Sequence, residues 1–326
     1  MPQSSPSALI IRLDGIGDAL SLTPLLAALH ANAVPADLVL CERNAGVFSS
    51  AAARCVEIAP FELRSSTTEN LTRLSAFGDR LKERAYSDVL VATEDPGGYR
   101  LARAIGAPRS VGFTNGLTKP LKTLWARSLL TDTLHRPTER ALPRHECETL
   151  FDLGAGLVRE AEPTRDLARL RALVYSEAVR KDGRVAFQVT QKWERFGVTP
   201  TEVAACLRQL AGDFSLHAIS SLDESGFADA IERASGVGVE RYADVSEWKR
   251  AIASAIALVA PDSGATHVAG MLGTPTVALF PQGPHVDREI ARWRPWAAPY
   301  RTVTIADGWQ QHTGSKLRRL LSLDRA

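Results

Sequence analysis

The 25 residues Ile256–Phe280, IALVAPDSGATHVAGMLGTPTVALF, constrain the fold more than any other stretch of the chain. The apolar run Ile256 to Ala260 has the pattern of a strand buried on both faces. A turn at Pro261-Asp262-Ser263-Gly264 follows, then a segment of helical period, Ala265 to Leu272, closed by Gly273 and Pro275. A second apolar run, Thr276 to Phe280, completes a βαβ unit, since neighbouring parallel strands need a crossover of this length. Ser263 or Thr266 can cap the helix, and Gly264 lets a ligand approach the backbone closely. A helix start offers free N–H groups and a positive dipole end, which together suit an anion. Asp262 and His267 flank it with groups able to hydrogen-bond or move a proton. Read alone, the stretch is either a capped helix in an ordinary α/β sheet or an anion site.

Length and charge narrow the class. A chain of 326 residues, 45% hydrophobic and 23% charged, is globular and long enough for two domains with a core each. With 39 Lys+Arg against 37 Asp+Glu the net charge is +2, so nothing marks it for a nucleic-acid partner. Cys41, Cys55, Cys147 and Cys206 are scattered, as expected of reduced thiols rather than of a zinc site or disulfide framework. No run approaches the ~20 apolar residues of a membrane span. Met1–Ser7 lacks the basic start and apolar core of a signal peptide, so a cytoplasmic protein is expected.

The chain opens on a second strand–turn–helix. Ala8–Leu13 (ALIIRL) reads as a buried strand, followed by Asp14-Gly15-Ile16-Gly17-Asp18 and a periodic helix from Ala19 to His30. Pro24 either bends that helix or marks the first turn of a later start. Leu20 stands where a dinucleotide fingerprint needs its third glycine, and no acidic residue is clearly placed for the ribose, which argues against NAD. Arg12 stands where a phosphatase-type Asp-x-Asp needs its first aspartate.

Further strands are expected at Asp37–Cys41, Asp88–Ala92 and Arg109–Phe113, with helices at Leu71–Arg84 and Tyr99–Ile105. Thr114–Arg144 differs: prolines at 120, 137 and 143, and basic residues Lys119, Lys122, Arg127, Arg136, Arg140 and Arg144 around Leu121 and Trp125. It reads as a solvated loop, or as a contact for an anionic acceptor or membrane surface. A helix over Arg144–Leu157 and a charged stretch with Pro163 lead to the domain boundary. A second series follows: strand Arg184–Val189, helix Thr199–Leu210, strand Ser215–Ile219, helices Glu224–Ala234 and Val245–Ala255, the βαβ unit, strand Arg301–Ile305 and helix Thr313–Leu323. Such alternation predicts two doubly wound α/β domains with a ligand in the cleft between them. The expected layout is an N-terminal domain over 1–165, a linker over 166–183, a C-terminal domain over 184–310 and a final helix over 311–326, which can pack back across the domains.

Leu13-Asp14-Gly15-Ile16-Gly17-Asp18-Ala19-Leu20 with Thr23-Pro24-Leu25-Leu26 resembles the N-terminal signature of glycosyltransferase family nine, the bacterial ADP-heptose:lipopolysaccharide heptosyltransferases. Asp262-Ser263-Gly264-Ala265-Thr266-His267 with Gly273-Thr274-Pro275-Thr276 is similar to that family's C-domain signature. Lys192-Trp193 and Trp293-Arg294-Pro295-Trp296 match as well, so the likeness runs through nearly the whole chain. The resemblance implies a GT-B fold: two Rossmann-like domains, acceptor in the first and donor nucleotide in the second. It implies an inverting, metal-independent glycosyltransferase that needs no cofactor, moving heptose from an ADP donor to a lipopolysaccharide-core, glycolipid or saccharide acceptor. Alternatives are the same fold with a UDP- or GDP-linked sugar, or a non-catalytic nucleotide-binding relative. Peripheral contact with the cytoplasmic face of the inner membrane through 114–144 is a further expectation.

The chemistry assigns roles. Transfer needs a base for the acceptor hydroxyl and neutralisation of the leaving diphosphate. The resemblance gives the first to Asp18, which on local grounds is also a candidate N-cap. It gives the second to Lys192 and the amides of Ser263, Gly264, Ala265 and Thr266. Asp262 is implied as a sugar contact, His267 as a group that orders the loop or touches phosphate, and Asp223 or Glu224 as the ribose contact. Gly15, Gly17, Glu94 and Asp95 fall on the acceptor side. Val189-Thr190-Gln191 and Glu194 replace the Gly/Ser-rich stretch and the proline that often surround the family's Lys-Trp. Glu94-Asp95 stands where many relatives have Asp-Leu-Gln-Gly.

Overall fold

A computed structural model describes residues 7–136 and 144–323. The chain divides into two compact units at Thr164/Arg165. The first holds strands β1 (Ala8–Ile11), β2 (Ala36–Leu40), β3 (Cys55–Ile58), β4 (Asp88–Val91), β5 (Arg109–Thr114) and β6 (Asp132–His135). All are parallel, in the order β3-β2-β1-β4-β5-β6. The second holds β7 (Val185–Gln188), β8 (Leu216–Ser221), β9 (Val239–Tyr242), β10 (Ala257–Pro261), β11 (Thr276–Pro281) and β12 (Tyr300–Ile305). These too are parallel, in the order β12-β11-β10-β7-β8-β9. Counted from its own first strand, each sheet has the doubly wound order 3-2-1-4-5-6. The order reverses between β1 and β4 in one unit and between β7 and β10 in the other. Ligands of such sheets bind beyond the carboxyl ends of the strands at that reversal. The turns after these four strands carry most of the residues singled out above.

Burial explains why the central strands were legible. Every residue of β1, β4, β7 and β10 is buried, as helices on both faces require. The first core joins Leu9, Ile11, Val89 and Val91 to Phe77, Leu81, Tyr99 and Ile105. In the second, Phe187 stacks on Trp193 at 5.9 Å and Trp193 on Trp309 at 5.5 Å. The Trp193 indole N–H, which cannot be buried unpaired without cost, donates to the Gln188 carbonyl at 3.0 Å.

Several expectations are corrected. Strands β3, β6 and β9 were not foreseen; each is a sheet edge with the sequence CVEI, DTLH or VERY, so no continuous apolar run announces it. The first periodic segment is two helices, Ile16–Leu20 and Thr23–Ala31, and Pro24 lies in the first turn of the second, as for a later start. The stretch read as a solvated loop contains a helix, Pro120–Leu129, and β6; Pro137, Arg140 and Pro143 lie outside the described residues. The helix expected over 144–157 is Glu146–Phe151 followed by a 3-10 turn, Asp152–Gly154. Within 166–183, Leu167–Val174 is a helix capped by Asp166 and packed on helix Gly264–Leu272. The last helix, Trp309–Leu323, packs on β12, β11 and helix Pro200–Asp213.

Candidate active-site residues

In the first unit the residue after β1 is decisive. Arg12 is only 2% exposed, so its charge needs partners. Its guanidinium lies 3.1 Å from Asp18, 3.4 Å from Asp14 and 3.9 Å from Glu146, and donates to the Ala92 carbonyl beyond β4. Arg136 donates to Glu146 at 2.6 Å and pairs with Glu94 at 3.2 Å, which Lys122 also meets at 3.2 Å. The result is a row of alternating charge: Asp18, Arg12, Glu146, Arg136, Glu94, Lys122. Burial pushes the Asp14 carboxyl upward, with Arg12 opposing it. Burial also acts on Glu94, but Arg136 and Lys122 outweigh it and hold its carboxyl below the usual range.

Asp18 is the open end of this row, its side chain 38% exposed. It is not the N-cap, which is Gly15. Asp18 sits at the third helical position, one oxygen accepting the Gly15 N–H at 3.2 Å and the other facing Arg12. Asn44 ties the turn down by donating to the carbonyls of Arg12 and Asp14. Gly17 lies inside the short helix, its carbonyl accepting from Ser21. Of the expected acceptor-side pair, Glu94 belongs to the charge row. Asp95 is 4% exposed and caps helix Pro96–Ile105 through the Gly97 N–H.

In the second unit Lys192 follows β7 and Asp262 follows β10. Their side chains approach to 3.7 Å, and His267 lies 3.8 Å from the other Asp262 oxygen. Burial would raise the Asp262 carboxyl, but His267 and Lys192 together hold it below its ordinary value. The His267 ring is buried and packs edge-on against Trp293 at 5.7 Å. Ser263 occupies the N-cap position of helix Gly264–Leu272 without a side-chain cap hydrogen bond, and the first N–H groups of that helix have no intrahelical acceptor. The Ser263 hydroxyl is buried and has no hydrogen-bond partner, which is costly unless something else fills the place. Thr266 donates to the Ser263 carbonyl at 2.7 Å and fixes the turn. Gly264 and Ala265 form its first helical residues.

The acidic pair after β8 separates in the structure. Glu224 accepts from the Thr190 hydroxyl at 2.9 Å and from the Gln191 N–H at 3.1 Å, so it shapes the turn that carries Lys192. Asp223 is exposed, on the 3-10 turn Leu222–Glu224. The roles of Arg12, Glu146, Arg136 and Trp293 were missed. A charge inside the apolar run ALIIRL was the available signal, since a strand interior tolerates one only when it is paired.

Two parallel six-stranded sheets of one topology, with charged turns at both reversals, give the two Rossmann-like domains of a GT-B fold. Residues 236–322 match the sequence model of glycosyltransferase family 9 (heptosyltransferase), the family whose signatures the chain resembles. The fold is that of a family 9 glycosyltransferase from Veillonella parvula, at 15% identity and TM-score 0.72 over 99% of both chains. It is also that of Escherichia coli ADP-heptose lipopolysaccharide heptosyltransferase II, at 16% identity and TM-score 0.71 over 98% of this chain and 100% of that one. An E. coli heptosyltransferase solved with ADP matches at 16% identity and TM-score 0.71, over 98% and 99%. No curated protein matches the chain by sequence.

Proposed function

We propose that this glycosyltransferase moves a heptose from ADP-heptose to a lipopolysaccharide-core or other lipid or saccharide acceptor, with inversion and without a metal. The observation that carries the reading is the turn after β10. An ion pair of Lys192 and Asp262, a buried His267 and an unpartnered buried Ser263 hydroxyl converge there on the start of a helix. That set suits a diphosphate: Lys192 supplies charge, the helix start supplies N–H donors, and Ser263 supplies a hydroxyl. Of the two acidic residues after β8, Asp223 is assigned to the ribose, because Glu224 is engaged in holding 190–191. The names of the solved neighbours support an ADP-linked heptose as donor.

In the reaction Asp18 takes the proton of the acceptor hydroxyl as its oxygen attacks the anomeric carbon. The bond from that carbon to the diphosphate breaks, and Lys192 with the helix-start amides meets the charge that develops on the leaving oxygen. One displacement at one carbon inverts its configuration. Arg12 fixes the direction of the Asp18 carboxylate from behind, leaving its exposed side for the hydroxyl. Asp18→Asn should lower kcat by roughly 10²–10⁴-fold while the affinity for donor stays unchanged, and wild-type turnover should persist in EDTA. Normal turnover of the variant would remove Asp18 from this role, and abolition of wild-type turnover by EDTA would contradict a metal-free mechanism.

A further inference from the structure

The three most exposed large apolar side chains among the described residues stand together. Leu117 is 96% exposed, Leu121 81% and Leu124 65%. Leu117 lies in the 3-10 turn Gly116–Thr118, and Leu121 and Leu124 are three apart on the following helix, Pro120–Leu129. That spacing puts the two helical leucines on one face. Burial of a leucine is worth enough that three left free in one place need a reason.

The opposite side of the same helix is anchored. Ala126 is buried, Thr123 donates to the Gly116 carbonyl at 2.9 Å, and Trp125 packs against Tyr99 at 5.5 Å. Of the two apolar groups set among the basic residues, Leu121 faces outward with Leu117 and Leu124, whereas Trp125 holds the helix down. The helix is therefore a fixed platform, and its leucines are not the slack of a loose loop. At nearly full exposure Leu117 and Leu121 form a projection, which has nothing to offer a partner that inserts an anchor into a groove.

Charge selects among the remaining partners. Between Thr114 and Thr131 the chain has Lys119, Lys122 and Arg127 and no acidic residue. Lys119 and Arg127 are exposed beside the leucines. Aliphatic side chains ringed by cations fit the interfacial zone of an anionic bilayer, where the former enter the acyl boundary and the latter meet headgroups.

We infer that Leu117, Leu121 and Leu124, with Lys119 and Arg127, dock this protein onto an anionic phospholipid surface. The contact stands independently of the sugar and nucleotide proposed above. Lys122 links it to the charge row, since its amine pairs with Glu94 beyond β4. A docked helix thus places the acceptor-side turn of its own unit close to the membrane plane.

The test is co-sedimentation of the full chain with phosphatidylcholine vesicles, with and without phosphatidylglycerol. The protein should pellet with the anionic vesicles and stay in solution with the neutral ones. Leu117→Ser/Leu121→Ser/Leu124→Ser should weaken partitioning by roughly 100-fold. Lys119→Gln/Arg127→Gln should weaken it by roughly 30-fold. Both variants change exposed side chains only, so melting temperature and turnover of a soluble acceptor should match wild type. No binding to anionic vesicles, or binding that survives the leucine changes, would overturn the inference. So would light scattering that shows a dimer which the leucine changes convert to a monomer, because the stripe would then be a subunit interface.

Discussion

Lys249 shows how one buried charge tunes stability. It is 2% exposed, its amine donates to the Val174 carbonyl at 2.9 Å, and burial pushes its pKa down to about 8. The unfolded chain keeps the ordinary lysine value of about 10.4. Between these values the unfolded state binds more protons, so stability should rise as pH increases from about 8 to about 10. The rise attributable to this group is on the order of 2–3 kcal/mol. In Lys249→Met that share should vanish; urea midpoints measured across this range check it, and parallel profiles for variant and wild type would contradict it. At the same scale, Lys192 and Asp262 were legible because each matches a signature position. Arg12 was not, because its worth lies in Asp14, Asp18 and Glu146, and Glu146 is 134 positions away in the sequence.

Among elements, helix Gly264–Leu272 was read correctly from its period and its closing glycine, but what positions it was not. A Cβ added at Gly270 would lie 2.8 Å from the Trp296 nitrogen and 3.1 Å from the Pro295 Cα. Those are backbone atoms and cannot step aside cheaply, so Gly270→Ala should cost roughly 1–3 kcal/mol and several degrees of melting temperature. It should also weaken nucleotide binding by displacing the helix start. Gly212→Ala, in helix Pro200–Asp213 with nothing within 4 Å of the added Cβ, is the control and should be neutral or stabilising. A melting temperature for Gly270→Ala equal to wild type would show that the 295–296 segment yields. The signature Trp293-Arg294-Pro295-Trp296 thereby acquires a physical reason: its backbone closes on Gly270 and Trp293 backs His267. The edges β3, β6 and β9 and helix Pro120–Leu129 went unread for a different cause. Their side chains alternate exposure or carry charge, so tertiary pairing rather than local pattern makes them regular.

At the level of the whole molecule, the sequence's two strand–turn–helix signatures lie in two sheets of identical order, after the first strand of one and the fourth strand of the other, each with its signature turn at the reversal. That much was legible because central parallel strands are buried on both faces and must be apolar throughout. No helix among the described residues is long and apolar enough to cross a membrane. The proposed site for the diphosphate of an ADP-linked sugar is the turn after β10 together with Lys192. The most direct test is a thermal-shift panel of ADP, UDP, GDP, CDP and NAD on wild type and Lys192→Ala, since a ligand that binds only the folded state stabilises it by about 2.7 kcal/mol at 100 times its Kd. A selective rise with ADP that Lys192→Ala largely removes is the expected result. No rise with any nucleoside diphosphate, or an ADP shift unchanged in Lys192→Ala, would contradict it.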